Sequence, residues 1–253
     1  MTKSVRQSQA AYLLIDISNS YTKFAHASNS RLLRTTRIPT EKLTASRIER
    51  ALKQRAVTKV VVCSVVPRRN ILIKRGLGKT PVTFVDPKAK LGVGIDYPNP
   101  RSIGADRLAN AAAVAELYGC PSIVVDFGTA VTFDVISAQR AYIGGVIAPG
   151  LEAMTNYLYQ RTALLPKLTL SEPHNAIGKS TRAAMMSGAI FGYRGLVREI
   201  LAQIKREAFG RHRPLIVATG GYAQLIAARM PMITAIHPHL TLEGLRIIGN
   251  LNA

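Results

Sequence analysis

The chain has 253 residues, 47% hydrophobic and 19% charged, which suffices for one large core or two ordinary ones. Lys and Arg number 34 against 14 Asp and Glu, a net charge of +20 that draws anions, nucleotides and nucleic acids included. No apolar run is long enough to cross a bilayer, and the two cysteines, Cys63 and Cys120, lack metal-ligand spacing. A helical membrane protein and a disulfide-built domain are therefore excluded, and a reduced, cytoplasmic protein is the expectation.

Residues 1–10 read as a ragged leader. Its apolar run is too short for a secretory signal and leads straight into Asp16. A strand–turn–strand follows over 13–25, then a polar strand over 32–38, stopped by Pro39 and Thr40. Ile48, Ala51 and Leu52 mark an amphipathic helix over 45–55. An apolar run over 60–66 is a buried strand. A short helix over 71–75 closes at Gly76, and another strand spans 82–85. The stretch 91–101, rich in Gly, Pro and Asn, is read as loop. Ser102 opens a helix to about Tyr118, with Gly119 as its stop.

The second half begins with IVVDFGTAVTFDVI over 123–136: a buried strand, a tight turn and a strand with one apolar face. Gly128 in that turn can take φ > 0 and admit a ligand close to the backbone. Residues 141–154 read as a strand, a Gly144-Gly145 bend, a short strand, then Pro149-Gly150 before a helix. After a polar stretch over 164–179, Ser180 caps a helix to about Phe209 whose apolar side is Met185, Ala189, Tyr193, Leu196, Ile200 and Ile204. A strand over 215–218 enters Thr219-Gly220-Gly221, a helix follows over 222–229, and 240–251 is apolar enough to pack back as a helix.

The chain repeats itself. Asp16, Ser18, Asn19, Ser20 and Thr22 match Asp126, Gly128, Thr129, Ala130 and Thr132 in spacing, each set within a strand–turn–strand. Such a repeat suggests two related halves, read here as 1–118 and 119–253. Two hairpins facing one another across a cleft can hold a nucleotide's phosphates and a cation. Between them lies SIGADRL. Asp106 gains from a helix N-terminus in any case, but Arg107 gains nothing there and calls for a carboxylate or anionic partner.

The hairpin DISNSYTKFA, the helix start GADRLANAAA, the hairpin DFGTAVTFD, the stretch YIGGVIAPGL and the GKST before the long helix occur in that order. Together they resemble type III pantothenate kinase, from Leu13 to the C-terminus. The resemblance implies an α/β fold of two ribonuclease H-like domains, in the acetate and sugar kinase–actin superfamily. It implies ATP-dependent phosphorylation of pantothenate to 4'-phosphopantothenate, the first step of coenzyme A biosynthesis. By position, Asp106 matches the catalytic base, and Gly104, Ala105 and Arg107 the neighbouring pantothenate contacts. Tyr97 and Thr181 match further substrate contacts. Asp16, Ile17, Ser18, Asn19, Ser20, Tyr21, Thr22 and Lys23 match the first nucleotide loop, Thr129 an ATP contact, and Asp126 the holder of a monovalent cation, potassium or ammonium. Mg²⁺ and a homodimer with a shared pantothenate pocket are also implied.

One residue departs from the family's pattern: Ser18 stands where Gly is usual. If the backbone there needs φ > 0, Ser18 is strained by roughly 1–2 kcal/mol. If not, its hydroxyl adds a donor. Two other readings stay open beside the kinase. One is another superfamily phosphotransferase, a sugar kinase or phosphatase. The other is a regulatory protein binding nucleic acid through its charge. Against the latter, the basic residues are scattered (Arg31, Arg34 and Arg37; Arg68 and Arg69; Arg211 and Arg213), without a basic tail or aromatic platform.

Overall fold

The computed structural model describes residues 12–253, so the leader read over 1–10 lies outside the described residues. The chain forms two compact units. Among the described residues, one is 12–117 together with Leu240–Ala253; the other is Tyr118–His239.

In the first unit, β1 (Tyr12–Ile17), β2 (Tyr21–Ala27), β3 (Leu32–Pro39), β4 (Lys59–Ser64) and β5 (Val82–Phe84) form one sheet in the order β3-β2-β1-β4-β5. The β1–β2 and β2–β3 pairs are antiparallel, and β1–β4 and β4–β5 parallel. β1 and β4 read as continuous apolar runs because both their faces are covered. Leu13, Ile15, Val60 and Val62 pack with Ile48 of α1 (Ala45–Lys53) and with Ile73 and Leu77 of α2 (Asn70–Leu77). The other face meets α7 (Leu240–Leu251), where Gly249 approaches Val61 and Tyr12. Between β5 and α7 in sequence come the two-residue β6 (Gly94–Ile95) and α3 (Ala105–Leu117). α3 is alanine-rich so that α7 can come close: a Cβ on Gly244 would stand 2.0 Å from the Ala109 carbonyl oxygen. Thr241 also donates to Asn110 Oδ1 at 2.9 Å in that buried contact.

The second unit has the same plan. β7 (Ser122–Phe127), β8 (Ala130–Ile136), β9 (Ala141–Pro149), β10 (Leu215–Thr219) and β11 (Ala235–Ile236) lie in the order β9-β8-β7-β10-β11. Pairing is antiparallel on the hairpin side and parallel toward β11. Ile123, Val125, Phe133 and Val135 form a core with α5 (Thr181–Ile204) and α6 (Ala223–Ala227); α4 (Leu151–Arg161) follows β9.

Several local expectations are corrected. Gly76 lies inside α2, where its missing side chain admits α1: a Cβ would stand 2.7 Å from the Ala45 oxygen. The terminator is Gly78, at φ 57°. α3 starts at Ala105 rather than Ser102, because a 3₁₀ turn over Pro100–Ser102 comes first. The loop over 91–101 also contains β6. Gly144-Gly145 makes no bend. β9 runs through it, and the register shift beside Val135 is absorbed by Gly144 at φ 135°. The expected side of α5 does face the core, with Tyr193 and Ile204 buried and Ala189, Leu196 and Ile200 half-buried against it; Met186, Ile190, Arg194, Val197 and Leu201 widen that buried side by one residue.

Arg194 is the charged member of that side. It is 6% exposed, grips Glu172 through two hydrogen bonds of 2.9 and 2.6 Å, and donates to the carbonyls of Leu225 and Ile226 at the end of α6. A cation there satisfies orphan carbonyls and matches the helix dipole. The Arg194 hydrogen bonds hold the Glu172 carboxyl below its ordinary 4.5. A lowered acid contributes stability above its ordinary value, and that stability fades as pH falls through the lowered one. Acidification below about pH 4.5 should therefore cost the wild type more urea resistance than Glu172→Gln, which starts lower at neutral pH.

Candidate active site

The first acid-bearing turn is held by a network of named bonds. Asp16, 1% exposed at the end of β1, faces Lys23 across the hairpin, and their charged groups lie 3.3 Å apart. Ser18 Oγ donates to Asp16 Oδ1 at 3.0 Å, and the Ser18 amide donates to the Tyr21 carbonyl at 3.1 Å. Arg140 alone among the described non-glycine residues has positive φ. Ser18 is thus unstrained, and its hydroxyl is an added donor. Arg37 of β3 stacks on the Tyr21 ring at 4.2 Å. Lys23 and Arg37 are cross-strand partners, so two cations flank the turn from β2 and β3.

Thr40 fixes the shape of this turn. Its hydroxyl donates to the Ser18 carbonyl at 2.7 Å and lies 3.1 Å from the Thr22 hydroxyl, while its amide donates to the Ser20 carbonyl at 3.0 Å. Both threonines are buried. Sequence reasoning treats Thr40 only as part of a strand stop. The Pro-Thr pair gives no hint that its side chain reaches back to a loop twenty residues earlier.

The second turn differs by one residue. Asp16 pairs with Lys23, but Asp126 pairs with Thr132, so the turn after β7 is shorter. The matched spacing of the two motifs holds into the turns and slips where each chain returns. Gly128 is not at positive φ, contrary to expectation. What the second turn requires is glycine around it. A Cβ on Gly150 would stand 2.1 Å from the Thr129 oxygen and 2.8 Å from the Gly128 oxygen. Gly220, at φ 94°, leaves room where a Cβ would lie 2.5 Å from Asp126 Oδ1 and 2.6 Å from the Phe127 backbone. The Tyr222 amide donates to the Phe127 carbonyl at 3.2 Å, and Tyr222 Oη donates to Glu152 at 2.8 Å. Thr129 is exposed at the tip.

Asp126 suits a hard cation. It is half-buried, flanked in register by Thr132 of β8 and Thr219 of β10, with the side-chain-free Gly220 against its Oδ1. Oxygen donors of this kind favour alkali or alkaline-earth ions. Among the described residues, no group of three or more His, Cys, Asp and Glu is placed to hold a metal by itself.

At the start of α3, the Asp106 carboxylate turns back over its own helix. Oδ1 accepts from the Arg107 amide at 2.9 Å, and the Gly104 carbonyl accepts from the amides of Arg107 and Leu108. A Cβ on Gly104 would stand 2.5 Å from Asp106 Oδ1, so glycine at 104 makes this orientation available. Asp106 and Arg107 are half-buried, and Ala105 is the first residue of the helix. Tyr97 is 37% exposed, before the 3₁₀ turn. In the second unit, Thr181 is exposed as the first residue of α5. Ser180 caps that helix by accepting from the Ala183 amide, and Gly178 packs against its first turn.

A family model described as type III pantothenate kinase matches residues 12–203. A type III pantothenate kinase from Akkermansia muciniphila is 52% identical over 242 residues, covering 95% of this chain and 99% of the relative. Among solved structures, one assigned to the Baf family of transcriptional activators, from Campylobacter jejuni, superposes with a TM-score of 0.61 at 19% identity, covering 94% of this chain and 97% of that one. An archaeal actin homologue superposes with a TM-score of 0.53 at 12% identity, covering 95% and 99%. These solved structures establish the actin-like fold of two ribonuclease H-like units.

Two variants test the backing of the turns. Thr40→Val should weaken binding of a non-hydrolysable ATP analogue several-fold and lower stability by about 1 kcal/mol, read by calorimetry and urea unfolding. Gly150→Ala should push the 128–129 turn aside and cost about 1–3 kcal/mol of stability, with a larger loss of analogue affinity than Thr40→Val.

Proposed function

The chain belongs to the type III pantothenate kinase family, and on that premise we propose that it transfers the γ-phosphoryl group of ATP to the primary hydroxyl of pantothenate. The observation that carries this reading is Asp106 and Arg107 side by side at the start of α3, with Gly104 making room for the carboxylate. Pantothenate offers a carboxylate and an alcohol, one for each of these side chains.

Arg107 pairs with the pantothenate carboxylate by charge-assisted hydrogen bonds. Ala105 and Gly104 contact the substrate through their backbone, with Tyr97 and Thr181 as further contacts. Asp106 accepts the proton of the alcohol as the hydroxyl oxygen bonds to the γ-phosphorus. The bond from that phosphorus to the bridging oxygen breaks, and ADP leaves. Transfer of this kind needs positioning and charge neutralisation more than covalent chemistry. The turn from Asp16 to Lys23 and the tip at Thr129 supply donors to the phosphates. Lys23 adds a positive charge beside the first turn.

Asp126, with its flanking threonines, would hold a monovalent cation, potassium or ammonium, and the nucleotide's phosphates would carry Mg²⁺. Such ions supply neutralisation of phosphate charge when bound. The protein acts in the cytoplasm as a homodimer, a reading that rests on the family resemblance.

Pantothenate-dependent ADP release should be seen in the presence of potassium and fall without it. Asp106→Asn should lower turnover by about 10²–10⁴-fold while leaving ATP binding within a few-fold. Turnover of simple sugars in place of pantothenate would assign the chain to a different phosphotransferase.

A further inference from the structure

The first unit has a concavity that the kinase reaction does not use. It lies where α1 covers the exposed edge of the sheet, with a volume of about 120 Å³. Arg34 of β3 and Arg47 and Arg50 of α1 line it, with Thr36 and the buried ring of His26. Phe24 and Ile38 give it an apolar floor.

Its charge is one-sided. No Asp or Glu lines the cavity. The acid nearest in sequence on α1, Glu49, is bonded to Lys53 at 2.5 Å. Among the described residues, none of the three arginines forms a salt bridge. Guanidinium groups gathered from a strand and a helix repel one another unless an anion joins them. The placement also has a structural cause. β3 is an edge strand, and its alternate residues 34, 36 and 38 share a face with Phe24 and His26 of β2. α1 is pinned over that face by the contact of His26 Nε2 with the Ala51 carbonyl at 3.0 Å. Helical spacing then brings Arg47 and Arg50 to the same rim.

We propose that this concavity is a second anion site, binding the phosphoryl group of a small phosphorylated molecule. Arginines suit phosphate because their planar donors pair with its oxygens two at a time. The apolar floor takes the rest of a small ligand. A nucleic-acid backbone would instead ask for a longer row of cations along the surface, whereas these three exposed arginines, from a strand and a helix, line one hollow.

The test follows the His26 imidazole signal by NMR in the whole protein, titrated with inorganic phosphate and with glycerol 3-phosphate at constant ionic strength. A saturable shift is expected in the wild type. In Arg47→Gln/Arg50→Gln the apparent Kd should rise about tenfold or more. Arg34→Gln, changed on a different element, should weaken binding in the same direction and guards against a folding defect in α1. Pantothenate phosphorylation should be unaltered in both variants. A His26 signal that does not move, or moves equally in the variants, overturns the proposal. So does a duplex DNA oligonucleotide that saturates the signal where neither phosphate compound does.

Discussion

Both acid-bearing turns keep their shape because a distant element presses on their backbone. In the first unit that element is Thr40, whose hydroxyl and amide bond to the carbonyls of Ser18 and Ser20. In the second it is a pair of glycines, Gly150 and Gly220, that crowd the Thr129 and Phe127 backbone. A short loop with few side chains of its own is otherwise free to sample many conformations, and holding it beforehand lowers the entropy lost on binding. The two solutions are chemically different. Hydrogen bonds hold one turn; close packing permitted by the absence of a Cβ holds the other.

The difference continues in the charges. Asp16 is nearly inaccessible and is bonded to Lys23 and Ser18, so much of its negative charge is answered within its own hairpin. A buried carboxylate without such partners would be costly. Asp126 is more open and faces threonines on either side. One-residue slippage between the hairpins produces this divergence, since it places Lys23 opposite the first acid and Thr132 opposite the second. An internal repeat has thus been turned to two electrostatic purposes by the length of a loop.

Much of this was legible in the sequence. Alternating and continuous apolar runs located the strands, and the repeated Asp-x-small-polar pattern disclosed two halves that share one strand order. Glycine was harder to interpret. Gly76 reads as a stop and is an internal contact; Gly128 reads as a positive-φ turn and is not; Gly150 reads as a helix entry and is one, at the N-cap of α4, but is a space-maker as well. Glycine's sequence signal does not say whether conformation or room is at stake. The buried side of α5 is wider than its apolar periodicity says. Periodicity counts apolar residues, but Arg194 is buried because Glu172 and two carbonyls satisfy it. Thr40 was invisible, since its partners are separated from it by a whole hairpin.

The position of α7 has a consequence for how the molecule comes into being. This helix covers β1 and β4 and seats Gly244 on α3, yet its residues are translated after the entire second unit. The amino-terminal sheet must wait on the ribosome with an apolar face uncovered while the intervening unit, whose strands are contiguous in the chain, is made and can close first. Completion of the earlier half by a segment made after the second unit makes α7 a checkpoint on the first unit. A nascent chain cut short before Leu240 would have an exposed hydrophobic surface of the kind that chaperones and proteases recognise.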